Sequence, residues 1–218
     1  MGDNYFPKVS PQGDAMFLPG TRYLRLIKTD YYGNPQSNSI GRAVISNAVQ
    51  MKYGGVQVDF ESVLKFRVAA GDSPDTGSGI AFFIAPENYE IPPNSTGDNY
   101  GIFDPTRTTT SHVFAVVFNT QEKTVGINIE SPTPRKSMLV NGLIGNDVKA
   151  HIKYDAVSTL ISVDLTIGQD EFKPDPLTLK FDLSPILDDR VTIGVSATTA
   201  DILIANHDAL VWSVKPNA

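Results

Sequence analysis

The stretch Val56-Gln57-Val58-Asp59-Phe60-Glu61-Ser62-Val63-Leu64-Lys65-Phe66-Arg67-Val68-Ala69-Ala70 decides the fold. Val56, Val58, Phe60, Leu64, Phe66, Val68 and Ala70 share one phase, with Gln57, Asp59, Glu61, Lys65 and Arg67 on the other. Successive side chains of a strand point to opposite faces, so this alternation describes a strand with one buried side, which only Ser62 interrupts. The same period returns in Val148, Ala150, Ile152, Tyr154; in Ile161, Val163, Leu165, Ile167; in Leu177, Leu179, Phe181, Leu183; and in Val191, Ile193, Val195, Ala197. Short polar turns separate the runs, and Asp155 to Ser158 reads as a hairpin. No segment sustains a 3.6-residue period; Ser184 to Asp188 has room for one helical turn. The pattern is that of an antiparallel β-sandwich.

Outward from that frame, Ile80-Pro86 and Val113-Phe118 are apolar in both phases, as central strands covered on both faces must be. Between them Ala85 to Ser111, rich in Pro, Asn, Gly and Thr, is a long irregular excursion, a functional loop or a crossover between sheets. The 218 residues are expected to form one domain, 1–218, that buries roughly 70% of the surface its unfolded chain exposes. There is no cysteine, which removes disulfide scaffolds and thiolate metal sites. Net charge is −6 with no basic run beyond Arg135-Lys136, and phosphate-backbone binding needs a clustered positive footprint, so nucleic acid is an unexpected partner. No stretch approaches the ~18–20 apolar residues of a membrane span, so insertion is not expected. Met1 to Phe6 lack the basic and apolar regions of a signal peptide, and Phe6 stands where a myristoylation motif has Ser or Thr. Met1 then reads as a true start or as a residue added after a leader was removed.

Catalytic patterns are sparse. Asp75-Thr76-Gly77-Ser78 matches the aspartic-protease tetrad, but that chemistry needs a second carboxylate in equivalent surroundings and the motif occurs once, so a polar turn is expected. Sandwich glycosidases pair carboxylates on one strand as Glu-x-Asp, a tripeptide absent here. His112, His151 and His207 are far apart, each at a predicted strand edge or turn, with no carboxylate cluster at ligand spacing; isolated or hydrogen-bonded histidines are expected. Asn94-Ser95-Thr96 is a glycosylation sequon in the long loop. Trp212 falls in phase with Leu210 and Val214 and is expected in the core.

Several blocks, in order and over nearly the whole chain, resemble the legume-lectin family. Gln12-Gly13-Asp14-Ala15 with Leu24-Arg25-Leu26 is similar to its opening strands, and Ser39-Ile40-Gly41-Arg42-Ala43 to its S-x-G-R-A block. Gly79-Ile80-Ala81-Phe82-Phe83-Ile84-Ala85-Pro86 resembles G-(L/I)-A-F-x-(L/I)-x-P, and Gly101-Ile102-Phe103 resembles G-L-F. Val113 to Thr120 parallels V-A-V-E-F-D-T, and Gly126-Ile127-Asn128-Ile129 parallels G-I-D-V. Val195-Ser196-Ala197-Thr198-Thr199 and His207 to Val214 look like F-S-A-T-T-G and H-D-(V/I)-L-S-W-S-F. The resemblance implies an all-β, concanavalin-like jelly-roll sandwich with a flat back sheet, a curved front sheet and a small top sheet. It also implies a plant protein of extracellular or apoplastic location, a defence or signalling role, and pairing of two copies through the back sheet.

What the resemblance implies about the site is mostly loss. The Glu and Asp that bind a transition metal and calcium in the family are replaced by Val117 and Asn119, and the family's histidine by Thr124; the ligand loop shrinks to Gln121-Glu122-Lys123. Hard cations need several oxygen ligands, so no calcium or manganese site and no cofactor are expected. Ser78 takes the place of the sugar-binding Asp, and a hydroxyl lacks a carboxylate's charge-assisted, two-oxygen acceptance. The glycine-rich stretch that donates a backbone N–H to sugar aligns with Gly97-Asp98-Asn99-Tyr100. Ser78, Asp98, Asn99, Tyr100 and the loop Ala200 to Asn206 are therefore expected to share one rim, with Tyr100 either stacking on a sugar or packing inward. Three readings stay open: metal-independent glycan binding, a lectin-like protein that engages a protein partner instead, and an enzyme of the wider two-sheet superfamily, against which the missing carboxylate pair speaks.

Overall fold

The computed structural model describes residues 7–70, 78–106, 111–169, 171–202 and 204–217. Its strands are β1 (Val9–Gly13), β2 (Met16–Phe17), β3 (Leu24–Arg25), β4 (Ile40–Ile45), β5 (Val49–Gln50), β6 (Lys52–Tyr53), β7 (Val56–Gln57), β8 (Asp59–Ala70) and β9 (Gly79–Pro86). After a 3-10 turn at Gly97–Asn99 come β10 (Phe114–Asn119), β11 (Thr124–Ile129), β12 (Lys136–Leu139), β13 (Asp147–Asp155), β14 (Leu160–Ile167), β15 (Leu177–Lys180), β16 (Arg190–Thr198) and β17 (Ala205–Asn217). Every strand pair is antiparallel. One sheet, called front below, has the order β1-β4-β16-β9-β10-β11-β12, with β5 also on β16; the back sheet has the order β15-β14-β13-β8-β17-β3-β2; β6 and β7 form a small third sheet.

The alternating residues meet between the two large sheets. Phe60, Leu64, Phe66 and Val68 of β8 pack with the inward faces of β13, β14 and β16 and with Phe82, Phe114 and Phe118 from the front sheet. Phe66 and Phe118 bring their ring centroids to 4.8 Å across the layers. Each such buried side chain contributes about 1.5–3 kcal/mol of burial free energy. Ser62, the polar break in the deciding stretch, also faces inward: its hydroxyl accepts from Trp212 Nε1 at 3.2 Å and donates to the Ser213 carbonyl at 2.9 Å. A buried indole N–H needs an acceptor, which is why a serine interrupts the apolar face opposite the one tryptophan.

Three expectations are corrected. Val56 is exposed, because the long run breaks at Val58 and Val56 belongs to the small β6–β7 sheet. Leu210 does not share the face of Trp212: the β17–β8 register shifts between Ala209 and Val211, so Ala209 and Trp212 point into the core on either side of the irregularity. His207 and His151 lie at no edge or turn: His207 is fully buried within β17, and His151 sits at the middle of β13, paired on both sides. The Asp75-Thr76-Gly77 part of the tetrad and Leu203 of the rim loop lie outside the described residues.

A second apolar cluster covers the other side of the front sheet. Ala81, Phe83 and Ala85 of β9 and Ala115 and Val117 of β10 pack there under Tyr100, Ile102 and Phe103 from the long excursion. This explains why both strands are apolar in both phases. Gly194 faces Phe83 across the ladder, and a β-carbon at 194 would come within 2.5 Å of that ring. Arg42 ties the loop down from below: its guanidinium donates to Gln12 Oε1 at 2.6 Å and to the Tyr89 carbonyl, lying 5.6 Å from the Phe83 centroid and 5.9 Å from that of Tyr89. Burial brings its pKa down to about 10, so it stays charged at neutral pH. Tyr89 in turn donates its hydroxyl to the Ile102 carbonyl at 3.0 Å.

Candidate functional site

Register alone gathers the candidate positions. Thr198 pairs with Gly79, Gly79 with Asn119 and Asn119 with Thr124, so these four cross the front sheet in a single row at one end. Ser78 precedes that row and the loop from Thr199 follows it. The 3-10 turn closes over them, because Thr198 Oγ1 donates to the Gly97 carbonyl at 2.7 Å and Ser196 Oγ to the Tyr100 carbonyl at 2.6 Å. Gly97 has φ +60°, and a β-carbon there would lie 3.8 Å from both Ser78 Oγ and Ala200 Cβ. The rim therefore joins the predicted Ser78, Gly97 to Tyr100 and Ala200 segments.

Their side chains differ in availability. Asp98 is exposed and Asn99 half-buried. Ser78 is 1% exposed, and its hydroxyl has no hydrogen-bond partner among the described residues. Tyr100, at φ +53°, is 3% exposed and belongs to the second apolar cluster. Of the two orientations expected, it takes the inward one, so as a stacking platform it is corrected: no ring face reaches solvent. Burial, with the Asp98 carboxylate nearby, pushes its phenol pKa well up, so the hydroxyl stays protonated. Asn94 is exposed, as a glycosylation acceptor requires, while Ser95 beside it is buried and donates to the Pro92 carbonyl at 2.6 Å.

The positions aligned with metal ligands hold the protein to itself. Val117 is 4% exposed within the second cluster. Asn119 uses both ends of its carboxamide: Nδ2 donates to the Tyr100 hydroxyl at 3.0 Å, and Oδ1 accepts the Glu122 N–H at 2.9 Å. Thr124 opens β11 directly opposite. Among the described residues no three of His, Cys, Asp and Glu are grouped so as to hold a metal ion. The histidines are separate: His112 Nδ1 is 3.5 Å from Asp188, His151 Nε2 is 2.9 Å from Glu61 on the outer back sheet, and His207 is internal. No helix is long and apolar enough to cross a membrane among the described residues.

Sequence reasoning missed one member of the rim. The segment 28–39 forms a small hairpin, with Thr29 bridged to Pro35 and Gln36 N–H donating to the Lys28 carbonyl at 2.9 Å. Thr199 Oγ1 donates to the Gln36 carbonyl at 2.7 Å, Asn38 Nδ2 to Asp201 Oδ1 at 2.5 Å, and Asn206 Nδ2 to the Gly33 carbonyl at 3.3 Å. The available signal was Asp30-Tyr31-Tyr32-Gly33-Asn34, a turn composition with two aromatics at its centre.

The legume lectin domain family model matches residues 4–218. Lectin 10 of Medicago truncatula is 29% identical, over 96% of this chain and 78% of its own length. Lectin II from Ulex europaeus superposes with a TM-score of 0.88 at 27% identity, covering 100% of this chain and 97% of that one. Arcelin-5, a lectin-like defence protein from Phaseolus vulgaris, shares the fold with a TM-score of 0.90 at 23% identity, over 99% and 96% of the two chains. The architecture is thus the expected jelly-roll sandwich.

Proposed function

Because the chain belongs to the legume lectin domain family, we propose that it is a non-enzymatic, lectin-like recognition protein whose rim binds glycan without a metal ion. The observation that carries this reading is the double use of Asn119, which holds Tyr100 with one end and the turn at Glu122 with the other. Calcium takes 6–8 oxygen ligands; Val117 brings none, and the carboxamide of Asn119 is engaged at both polar ends. The residues present do not fit a hard cation. Protein hydrogen bonds do the loop-holding here, and Tyr100 is a positioning residue rather than a contact.

The polar groups left to meet sugar hydroxyls are Asp98, Asn99 and the Gly97 backbone at the rim, with the unpartnered Ser78 hydroxyl buried just beneath them. Residues 1–218 act in this reading as one recognition domain, extracellular, carrying glycan at Asn94, and serving plant defence or signalling. The test is a glycan array run with calcium and manganese and again with EDTA. Equal binding in the two buffers supports the proposal and directs substitution to Ser78 and Asp98; binding lost in EDTA overturns it. Silence in both also overturns it, in favour of a lectin-like protein that acts on a protein partner.

A further inference from the structure

Two of the most exposed aromatic residues stand together beside this rim. Tyr31 is 96% exposed and Tyr32 85%, their ring centroids 5.5 Å apart at an interplanar angle of 84°. They occupy the centre of a turn closed by Gly33 N–H donating to the Asp30 carbonyl at 3.1 Å and Asp30 N–H donating to that of Asn34 at 2.9 Å. Asp30 Oδ1 accepts the N–H groups of Tyr32 at 2.9 Å and Asn34 at 2.8 Å, and Oδ2 accepts from Asn34 Nδ2 at 3.0 Å. The backbone beneath the rings is therefore fixed before any ligand arrives, which lowers the ordering cost of binding. Gly33 is bonded to Asn206 and Asn38 to Asp201, so the turn leans on the same loop that reaches Gly97 through Ala200. Ile202 of that loop is 73% exposed.

Singly scattered apolar side chains on a surface need no explanation, but an aromatic pair on a hydrogen-bonded turn, with an exposed isoleucine on the adjoining loop, does. The patch is too small for a standard protein interface: aromatic side chains bury about 150–250 Å² each, so two of them and an isoleucine fall short of the ~800 Å² per partner such interfaces use. Perpendicular rings make a corner rather than a plate. A tyrosine offers an apolar face and a polar tip, matching a pyranose, which has a C–H face and hydroxyls around its edge.

We propose that Tyr31 and Tyr32 form an aromatic subsite that stacks against the second or third sugar ring of an oligosaccharide whose first ring sits at the Ser78–Gly97–Ala200 rim. This rests on the glycan-binding reading above and adds a length requirement to it: the favoured ligand is an oligosaccharide, not a monosaccharide. The experiment compares the wild type, the Tyr31→Ala/Tyr32→Ala double variant and the Tyr31→Phe/Tyr32→Phe double variant in EDTA on an array of immobilised mono- to hexasaccharides. The wild type is expected to bind tri- and longer saccharides more tightly than their monosaccharides. The alanine pair is expected to lose at least tenfold on the longer probes with no change on monosaccharides, while the phenylalanine pair, keeping both ring faces, retains binding. An unchanged profile for the alanine pair, with the wild type binding, overturns the subsite and leaves the glycan reading standing. Equal losses on short and long probes, or a phenylalanine pair as weak as the alanine pair, likewise overturn stacking beyond the rim. A wild type silent on every probe overturns the glycan reading itself and the subsite with it.

Discussion

His207 shows how much a single buried ring sets the response to pH. Its Nδ1 donates to the Ala205 carbonyl at 3.0 Å, and Nε2 is buried without a hydrogen-bond partner among the described residues. Burial brings its pKa from 6.5 down to about 4, so the folded chain keeps the ring neutral where the unfolded chain would protonate it. The folded value is the depressed one: this contribution is intact above about pH 6.5, erodes as pH falls towards 4, and is fully lost below. Its size is roughly 3 kcal/mol, at about 1.4 kcal/mol per pH unit of difference. Denaturant titrations from pH 8 to pH 4 should therefore show a steeper loss of stability in the wild type than in His207→Leu, which has no ring to protonate. Parallel slopes would show that this histidine is not held neutral.

The turn between β10 and β11 makes the corresponding point for an element. Asn119→Ala takes the partner from a buried Tyr100 hydroxyl and from the Glu122 N–H, and leaving a buried polar group unpaired costs about 1–3 kcal/mol. Asn119→Asp keeps the acceptor for the Glu122 N–H and loses the Nδ2 donor, but the Tyr100 hydroxyl can turn to donate to the new carboxylate, so it should cost less; yet with Val117 beside it Tm should not respond to millimolar calcium. Thermal denaturation of both variants with calcium and with EDTA decides this; a calcium-dependent rise in the Tm of Asn119→Asp would mean that the site needs only one carboxylate. That dependence on a residue nineteen positions away is also why the orientation of Tyr100 was not legible in the sequence. Strands β8, β13, β14 and β16 were legible because a face buried against a second sheet imposes the two-residue period directly. His207 carried the same signal, being in phase with Ala205 and Ala209, but polarity masked it. The displaced phase of Leu210 and the detached Val56 depend on a register shift and a separate small sheet, which local pattern does not encode. The rim hairpin at 28–39 was missed for a similar reason: its membership is set by bonds to Thr199, Asp201 and Asn206, far along the chain.

At the scale of the whole molecule, the outward face of the back sheet is one of two surfaces through which two copies could meet. It carries both signs of charge: Lys65 lies 2.8 Å from Asp147, His151 2.9 Å from Glu61, and Lys153 3.6 Å from Asp164, while Lys149 faces Lys65 across the ladder. A two-fold contact sets the same patch against itself, so a patch of mixed sign can place the cations of one copy on the carboxylates of the other. Opposing this, each copy has a net charge of −6. The centres of two such molecules would lie on the order of 30 Å apart, well beyond the ~10 Å over which charges act at 0.1 M salt. Contacts within a few ångströms therefore outweigh the net repulsion. A dimer formed through this face is accordingly expected to weaken as salt rises from about 0.1 M to 1 M, where the screening length falls to ~3 Å. The competing arrangement adds strand to strand at the sheet edges, where β2 leaves Met16 and Phe17 about half exposed and β15 is only four residues long. Backbone hydrogen bonds and apolar contacts at an edge respond little to salt. Sedimentation velocity at the two salt concentrations separates them: a dimer that dissociates in high salt supports the charged face, and one unmoved by salt places the contact at an edge.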